Sequence, residues 1–233
     1  MDNRKFGIFA VILVVVLLVI AILLPQKKEK EDNFKEELLD IDYGIEGNIA
    51  ELKYDKENPV VAIYIEKYGS VVMELYPDVA PNTVNNFISL IKAGFYDNNS
   101  FHRLVPGFVL QGGDPNGIGS GGPGYSIKGE FTKNGVSNNL SHTKWVVSMA
   151  RSSDMDSAGS QFFICLADAK NLDGEYASFG KVIDGFDILE KIEKAERVSD
   201  TNSGKLQRNL QIKKVLVDLK GKEYPEPEKI KSS

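Results

Sequence analysis

The sequence predicts an antiparallel β-barrel capped by two α-helices, with a membrane-spanning helix ahead of it. Three observations lead to this fold class. Short runs of β-branched and aromatic residues recur between Gly-rich and Asn-rich turns, which is typical of antiparallel β structure. Only two segments of the folded part have the apolar spacing of amphipathic helices, too few for a sheet built from βαβ units. Residues 6–24 are apolar and carry no charge.

The uncharged run at residues 6–24 predicts a membrane anchor over residues 1–24. As a helix rising about 1.5 Å per residue it would be roughly 28 Å long, close to the hydrocarbon thickness of a bilayer. A cleaved signal peptide is the alternative, but the run ends in ILLPQKK, which lacks a small-residue cleavage site. Lys and Arg flank the run on both sides, so they give little guidance on orientation. From its similarity to signal anchors, we expect the N-terminus inside and the folded domain extracytoplasmic.

Composition divides the rest of the chain into three parts. Residues 25–58 are rich in Lys, Glu, Asp and Asn with alternating sign of charge, which is typical of a solvated stalk. The folded domain is expected over residues 59–220, which is long enough to bury a core of its own. Residues 221–233 read as a polar C-terminal tail.

The first part of the domain contains two predicted strands and a helix. PVVAIYIEKYGSVVMELYP reads as two strands joined by a tight turn that includes Gly69. PNTVNNFISLIKAGFY follows with apolar residues at helical spacing. Asn82 or Thr83 is expected to cap this helix, and Gly94 is expected to end it.

The remainder of the domain is predicted to be mostly strand. A second amphipathic helix is expected in GFDILEKIEKAERV, with Phe186, Leu189 and Ile192 on one face. LQIKKVLVDL reads as the last strand. The predicted strands before that helix are FHRLV, FVLQG, YSIKGE, KWVVSMA, QFFICLA and YASFGKV.

Several classes of function are disfavoured by the sequence. The net charge of −5 argues against nucleic acid as a partner, because phosphate binding requires a basic surface. GIGSGG at residues 117–122 has the glycine spacing of a dinucleotide site, but strand-like sequence follows it where a helix is required. His102 and His142 are the only histidines and lack metal-ligand spacing, so neither a metal nor a cofactor is expected.

Nucleophilic chemistry is also not favoured. A Ser-His-Asp triad is possible from composition, but no nucleophile elbow of the G-x-S-x-G type occurs. The single cysteine, Cys165, lies in the apolar run FFICLA and reads as a small buried hydrophobe. A site without nucleophile, metal or acid-base pair therefore has to work through arginine, amides and aromatic rings.

Polar residues on otherwise apolar strands point to such a site. Strand alternation places Val109 with Gln111 on one face, and Gln161 with Phe163 on one face. Either glutamine alone would be consistent with a buried core residue whose side-chain hydrogen bonds are all made. Together with Arg103, the two pairs indicate an apolar pocket edged by hydrogen-bonding groups, the usual form of a peptide or ligand site.

Three long segments give the sequence a resemblance to a known family. FHRLVPGFVLQGGDP, SMARSSDMDSAGSQFFIC and NLDGEYASFGKV resemble the signature segments of cyclophilin-type peptidyl-prolyl isomerases, with fitting order and spacing. The resemblance extends from about Val60 to Leu219, and its details are closest to the bacterial branch. It implies an eight-stranded closed antiparallel barrel with two helices, whose active groove lies on the outside.

The resemblance also implies roles for individual residues. Arg103 would be the catalytic arginine, with Phe108 and Gln111 completing the catalytic set. The groove would be lined through side chains or main-chain groups of further residues, namely Val109, Gly119, Ala150, Arg151, Gln161, Phe163, Leu172 and Tyr176.

Two positions depart from the family pattern. Many members have tryptophan where Asn171 stands, and that tryptophan contributes to tight cyclosporin binding, so such binding is not expected here. A histidine often stands where Tyr176 does, and tyrosine can still donate a hydrogen bond. Neither change removes the catalytic set.

The expected function is isomerisation of X-Pro bonds in unfolded or exported polypeptides, by a chain held at the bilayer through residues 6–24. Prolyl isomerisation can limit folding, so such chains need it. The alternative is a membrane-tethered peptide-binding or chaperone module on the same fold, with little turnover. A third alternative, a scaffold role for stalk and tail, rests on their charge-rich composition alone.

Overall fold

The computed structural model describes residues 57–231. The expected anchor and nearly all of the stalk lie outside this range. Within it, no helix is both long and apolar enough to cross a bilayer. The helices are α1 (Pro81–Lys92) and α2 (Phe186–Ala195). The strands in chain order are β1 (Val60–Ile65), β2 (Gly69–Leu75), β3 (Ser100–Val105), β4 (Val109–Gly112), β5 (Tyr125–Ser126), β6 (Val146–Met149), β7 (Phe162–Cys165), β8 (Ser178–Asp184), β9 (Val198–Asp200), β10 (Lys205–Asp218) and β11 (Ile230–Lys231).

Eight strands close into an antiparallel barrel. Their order is β1-β2-β8-β6-β7-β4-β3-β10, and β10 pairs again with β1 to complete the ring. β10 is long and irregular, so it pairs with β3 and the short β9 near its start and with β1 towards its end. The predicted closed eight-stranded barrel with two helices is therefore confirmed.

The barrel interior is filled by side chains, and α1 closes one end. Inward residues of every barrel strand are fully buried, as Ile63 and Met73 illustrate on β1 and β2. Phe87 of α1 contacts Tyr96, Phe162 and Phe179, with ring centroids 4.9, 5.3 and 5.2 Å away. A filled interior leaves the outer face as the place for a binding site.

The predicted helices are present, with two differences in detail. Gly94, at φ +68°, follows α1 and ends it as expected. The N-terminus of α1 is not capped by Asn82 or Thr83, as the sequence suggested. The N-cap is Ala80, and the carboxylate of the distant Glu130 accepts both backbone N–H groups of Asn82 and Thr83 instead. In α2, Phe186 is 38% exposed rather than buried with the rest of its face.

Some predicted strands differ in extent. The strand expected from Lys144 starts at Val146, because Trp145 has a φ of +77° that a strand cannot accommodate. YSIKGE forms only the two-residue β5, which lies outside the barrel and pairs with β11. The tail that the sequence presents as merely polar thus contributes a strand.

Candidate active site

The register of four neighbouring strands places Arg103 and Gln111 in one row with Phe163 and Ser148 on the outer face of the barrel. Arg103 on β3 lies opposite Gln111 on β4, Gln111 lies opposite Phe163 on β7, and Phe163 lies opposite Ser148 on β6. The neighbouring residues along these strands, such as Leu110, point into the core. Alternation along each strand therefore puts one row of four residues on the outer face.

Arg103 is held in place at two atoms of its guanidinium. Its Nε donates to the backbone oxygen of Ser203 at 2.7 Å, and Nη1 donates to Oε1 of Gln111 at 3.3 Å. In the described part of the chain, Nη2 makes no hydrogen bond and is free for a ligand. Partial burial lowers the pKa of Arg103, but guanidinium stays charged at neutral pH.

A chain of amide hydrogen bonds links Arg103 to the glycine-rich loop at residues 117–124. Gln111 donates from Nε2 to Oε1 of Gln161 at 3.0 Å. Gln161 in turn donates from Nε2 to the backbone oxygens of Gly119 at 3.1 Å and Gly121 at 2.9 Å. Because each amide is fixed by its neighbours, Arg103 and the loop are held in one geometry.

An apolar pocket lies beside the arginine. Its base consists of buried Val109, Phe163, Cys165 and Ala169. Phe163 and Tyr176 meet edge to face at 5.9 Å. Partly buried residues pack around this base, namely Phe108, Ala150, Leu172 and Tyr176. Apolar and aromatic side chains of this kind are suited to contact a small apolar ring.

A buried hydrogen-bonded chain stands behind the pocket. His142 contacts Oδ1 of Asp173 through Nδ1 at 2.8 Å and Oγ of Ser148 through Nε2 at 3.0 Å. The order Ser-His-Asp resembles a hydrolase triad, but Ser148 is fully buried and reaches no substrate. The His142 ring stacks on Phe163 at 6.1 Å, so the chain supports the pocket.

The pKa values in this chain follow from burial and hydrogen bonds. Burial lowers the pKa of His142, against the opposing effect of Asp173. Burial alone would raise the pKa of Asp173, but hydrogen bonds from the backbone and side chain of His142 and from Ser141 outweigh it, so the pKa lies below its usual value. Burial raises the pKa of Cys165 to about 12, which keeps this thiol protonated and unreactive as the sequence suggested.

Asp114 organises the start of the glycine-rich loop, a role that the sequence reading missed. Its carboxylate is 1% exposed and accepts the backbone N–H groups of Asn116 at 2.7 Å, Ile118 at 3.1 Å and Gly119 at 2.5 Å. These bonds outweigh the effect of burial and lower its pKa. The pattern Asp-Pro-Asn-Gly, typical of a side-chain-stabilised turn, is the signal that could have found it.

Two clefts open from the shared centre at Gln111 and Gly119. A cleft of about 630 Å³, here called the loop cleft, runs between the glycine-rich loop and the segments at Ala150–Ser152 and Gly159–Gln161. The other, of about 450 Å³, lies between Arg103, the buried His102 and Lys205. Both clefts therefore meet at Gln111, the hydrogen-bond partner of Arg103.

The structure brings all the predicted site residues together. Arg103, Gln111 and Gln161 form the polar centre, and Gly119 lies on the loop that Gln161 holds. Arg151 lines the loop cleft, yet its guanidinium turns away to donate to the backbone oxygen of Glu175 at 3.0 Å and lies 4.7 Å from the Tyr176 ring. The remaining six surround the apolar pocket, namely Phe108, Val109, Ala150, Phe163, Leu172 and Tyr176.

Comparison with known proteins agrees with this geometry. The family model of the cyclophilin type peptidyl-prolyl cis-trans isomerases matches residues 60–217. The chain belongs to this family. Its enzyme class is accordingly that of the peptidyl-prolyl cis-trans isomerases. The match ends within β10, so the segment that contains β11 lies beyond it.

Individual relatives are similar over most of their length. A peptidyl-prolyl cis-trans isomerase of Helicobacter pylori is 43% identical over 130 residues, which is 55% of this chain and 77% of that protein. Peptidyl-prolyl cis-trans isomerase B of Bacillus subtilis is 44% identical over 128 residues, 55% of this chain and 86% of that protein. A Cryptosporidium parvum cyclophilin crystal structure superposes with a TM-score of 0.62 at 33% identity, covering 69% of this chain and 98% of that one.

Proposed function

We propose that this isomerase acts on X-Pro bonds of unfolded or exported polypeptides, with Arg103 stabilising the twisted amide. One observation supports the proposal above the others. The guanidinium of Arg103 is fixed by Ser203 and Gln111 beside an apolar pocket, and its Nη2 is left for a ligand. A related Cryptosporidium parvum structure, 34% identical to this chain, was determined in the presence of the dipeptide Ala-Pro.

The reaction needs stabilisation of a rotated bond and no bond breaking. Rotation about an X-Pro bond is slow because its partial double-bond character must be lost, at a barrier of about 18–20 kcal/mol. In the twisted state amide resonance is lost, so the proline nitrogen becomes pyramidal and its lone pair can accept a hydrogen bond. A group that donates there binds the twisted state better than either planar state, and this difference is catalysis.

Arg103 is suited to be that donor. Guanidinium is always charged and presents its N–H groups in a rigid plane, so little reorganisation is needed during the reaction. Its hydrogen bonds to Ser203 and Gln111 leave the far edge of the plane facing the groove. Fixed donors aimed at developing charge contribute about 3–4 kcal/mol in comparable sites.

The pocket and the amides hold the substrate on either side of the rotating bond. The proline ring would enter the apolar pocket against Phe163 and Leu172, where it is shielded from water. The Gln111–Gln161 pair edges the groove next to this pocket and would hold the flanking backbone. With the ring and flanking chain held, the carbonyl before proline can rotate alone.

A protease-coupled isomerisation assay on the full chain in mild detergent tests this function. We expect the rate of cis-to-trans conversion of an X-Pro peptide to rise in proportion to protein concentration. If the folded protein binds the peptide but leaves the conversion rate unchanged, the peptide-binding alternative replaces the enzymatic one.

We further propose that residues 6–24 anchor the chain in a bilayer, with the catalytic domain extracytoplasmic. The support is the uncharged run of bilayer length and its lack of a cleavage site. Such an anchor would keep the groove close to newly translocated chains.

Cell fractionation tests the membrane proposal. We expect the full chain in the alkaline-resistant membrane pellet, and a variant lacking residues 2–25 in the soluble fraction. Protease added to cells with a permeabilised outer layer should degrade the catalytic domain. A shortened, soluble form of the wild-type protein would contradict the anchor, and protection from protease would contradict the orientation.

A further inference from the structure

The C-terminal segment at residues 224–231, here called the strap, turns back along the domain after β10. It lies beyond the part of the chain that the family model matches. Its strand β11 pairs antiparallel with β5, so that Ile230 lies opposite Ser126 and Lys231 opposite Tyr125. Pro227 is buried, although the segment is otherwise polar. The strap is therefore a docked part of the domain.

Specific hydrogen bonds attach the strap to α1. Asn82 donates from Nδ2 to the backbone oxygen of Glu228 at 3.1 Å, and the backbone N–H of Glu228 donates to Oδ1 of Asn82 at 2.7 Å. The hydroxyl of Ser89 donates to Glu226 at 3.0 Å. The reciprocal pair at Asn82 fixes the strap in one register, since a side-chain amide satisfies both backbone groups of one residue.

The residue that the strap holds is also a wall of the loop cleft. Tyr125 follows the glycine-rich loop directly and lines the cleft. Its hydroxyl donates to Oδ1 of Asn86 at 2.8 Å, and Nζ of Lys229 lies 4.8 Å from its ring centroid. Asn86 donates in turn to the backbone oxygen of Gly159 on the opposite side of the cleft, at 2.7 Å. Strap, loop and α1 thus meet at one tyrosine.

The glycine-rich loop is fixed at three places along its length. Asp114 holds its start, Gln161 holds its middle, and β5 with the strap holds its end. Glycine-rich backbone loses more entropy on ordering than other sequence, so each attachment matters for keeping the loop in one conformation. A Cβ added at Gly122 or Gly124, in the last part of the loop, would meet no other atom within 4 Å.

We propose that the strap is a positioning segment for the isomerase site: it holds the end of the glycine-rich loop, so that the loop cleft is preformed for peptide residues beside the proline. This rests on the proposed function of the groove. When this wall of the cleft is preformed, peptide binding does not include the entropic cost of ordering the loop. Loss of the strap should therefore weaken binding of extended peptides and leave the rotation step at Arg103 unchanged.

The matched variants Asn82→Ala and Asn85→Ala, each in the full chain, test the proposal. Both positions lie on α1, and the Asn85 side chain makes no hydrogen bond within residues 57–231, so it controls for the change in helix sequence. A chain ending at Glu223 removes the strap entirely. If that shortened chain fails to fold, the comparison of Asn82→Ala with Asn85→Ala still tests the proposal.

The first readout is hydrogen exchange of the backbone at residues 117–126, which does not depend on activity. We expect exchange to be about fivefold faster in Asn82→Ala than in Asn85→Ala, as loss of roughly 1 kcal/mol of tethering implies. The chain ending at Glu223 should exchange faster still. Equal exchange in the two point variants would overturn the proposal.

The second readout is the kinetics of two peptides, a minimal X-Pro peptide and one extended on both sides. In Asn82→Ala, KM for the extended peptide should rise several-fold with kcat unchanged, and the minimal peptide should be unaffected. A fall in kcat for both peptides would overturn the positioning role. If the wild-type chain has no isomerase activity, the proposed function is contradicted. Hydrogen exchange at residues 117–126 still tests whether the strap holds the loop.

Discussion

Arg103 and Gln111 show why polar residues occur on strands that otherwise build the core. β3 and β4 bury one face in the barrel and present the other to the groove, so successive residues lie alternately in the apolar core and in the groove. An arginine at an outward position meets a backbone oxygen and an amide, and it keeps one nitrogen for a ligand. At a neighbouring inward position, such as Leu104, the same side chain would have no partner.

Gln111→Ala should lower kcat/KM roughly tenfold, because it removes the acceptor that orients Arg103 and breaks the link to Gln161. Most of the loss should lie in kcat if orientation of the arginine is the main effect. Steady-state isomerisation kinetics measure this, with the exposed Gln207→Ala as the control of matched residue type. Unchanged kcat/KM in Gln111→Ala would show that Arg103 needs no such support.

At the scale of elements, α1 depends on a carboxylate from a distant part of the chain. Its N-cap residue, Ala80, has no side chain that can accept the free N–H groups at the helix start. Glu130 is 7% exposed and accepts from the backbone of Asn82 and from both the backbone and the hydroxyl of Thr83. The negative charge also suits the positive end of the helix dipole.

Glu130→Ala should destabilise the domain by about 2 kcal/mol, because buried N–H groups at the start of α1 lose a charged acceptor. Chemical unfolding of the variant and wild type measures the difference in free energy of unfolding. Glu223→Ala is the control, since that glutamate is exposed and makes no ion pair among the residues described. A loss below about 0.5 kcal/mol would mean that water satisfies these groups equally well.

The same elements show which parts of the fold could be predicted from the sequence alone. β1, β2 and β7 are short runs rich in β-branched or aromatic residues, and α1 has apolar residues at helical spacing. These signals are local, so these elements were predicted close to their observed bounds. The cap of α1 joins residues 47 positions apart, and the reciprocal pair of Asn82 and Glu228 joins residues 146 apart. No local pattern records such pairings, which is why the Glu130 cap and the strap were missed.

The candidate site was predicted more completely than the connections around it. Long motifs specify Arg103, Gln111 and Phe163, and the barrel register then brings them into one row. Asp114, which shapes the loop through its backbone N–H groups, is polar and surrounded by turn residues, so it read as ordinary loop sequence. Arg103, Gln111 and Phe163 thus lie in long motifs, whereas Asp114 is marked only by a short turn pattern.

At the scale of the whole molecule, stability should depend on pH through two buried histidines. They are the only histidines in the chain, and burial lowers the pKa of both His102 and His142. Below pH 6.5 the unfolded chain therefore binds more protons at these sites than the folded chain does, so the free energy of unfolding falls as pH falls. Asp114 and Asp173, whose pKa values are lowered, contribute a loss only below about pH 4.

The free energy of unfolding should thus be lower at pH 5.5 than at pH 7.5, because both histidines bind protons more weakly in the folded chain than in the unfolded chain. Denaturant unfolding at both values measures this difference. His102 has no hydrogen-bond partner at either ring nitrogen within the described chain, so His102→Gln removes a titrating group without breaking a bond. The variant should show a smaller pH difference than wild type, and an equal difference would contradict the assignment.

The measurement that tests the central claim most directly is the isomerisation assay on the full chain and Arg103→Ala, combined with the Kd for a ground-state X-Pro peptide. Arg208→Ala, an exposed arginine on β10, is the matched control. If Arg103 stabilises the twisted amide, kcat/KM should fall about a hundredfold or more while Kd changes little, and the control should keep full activity. Equal activity in Arg103→Ala and wild type, or a loss explained entirely by weaker peptide binding, would contradict the account.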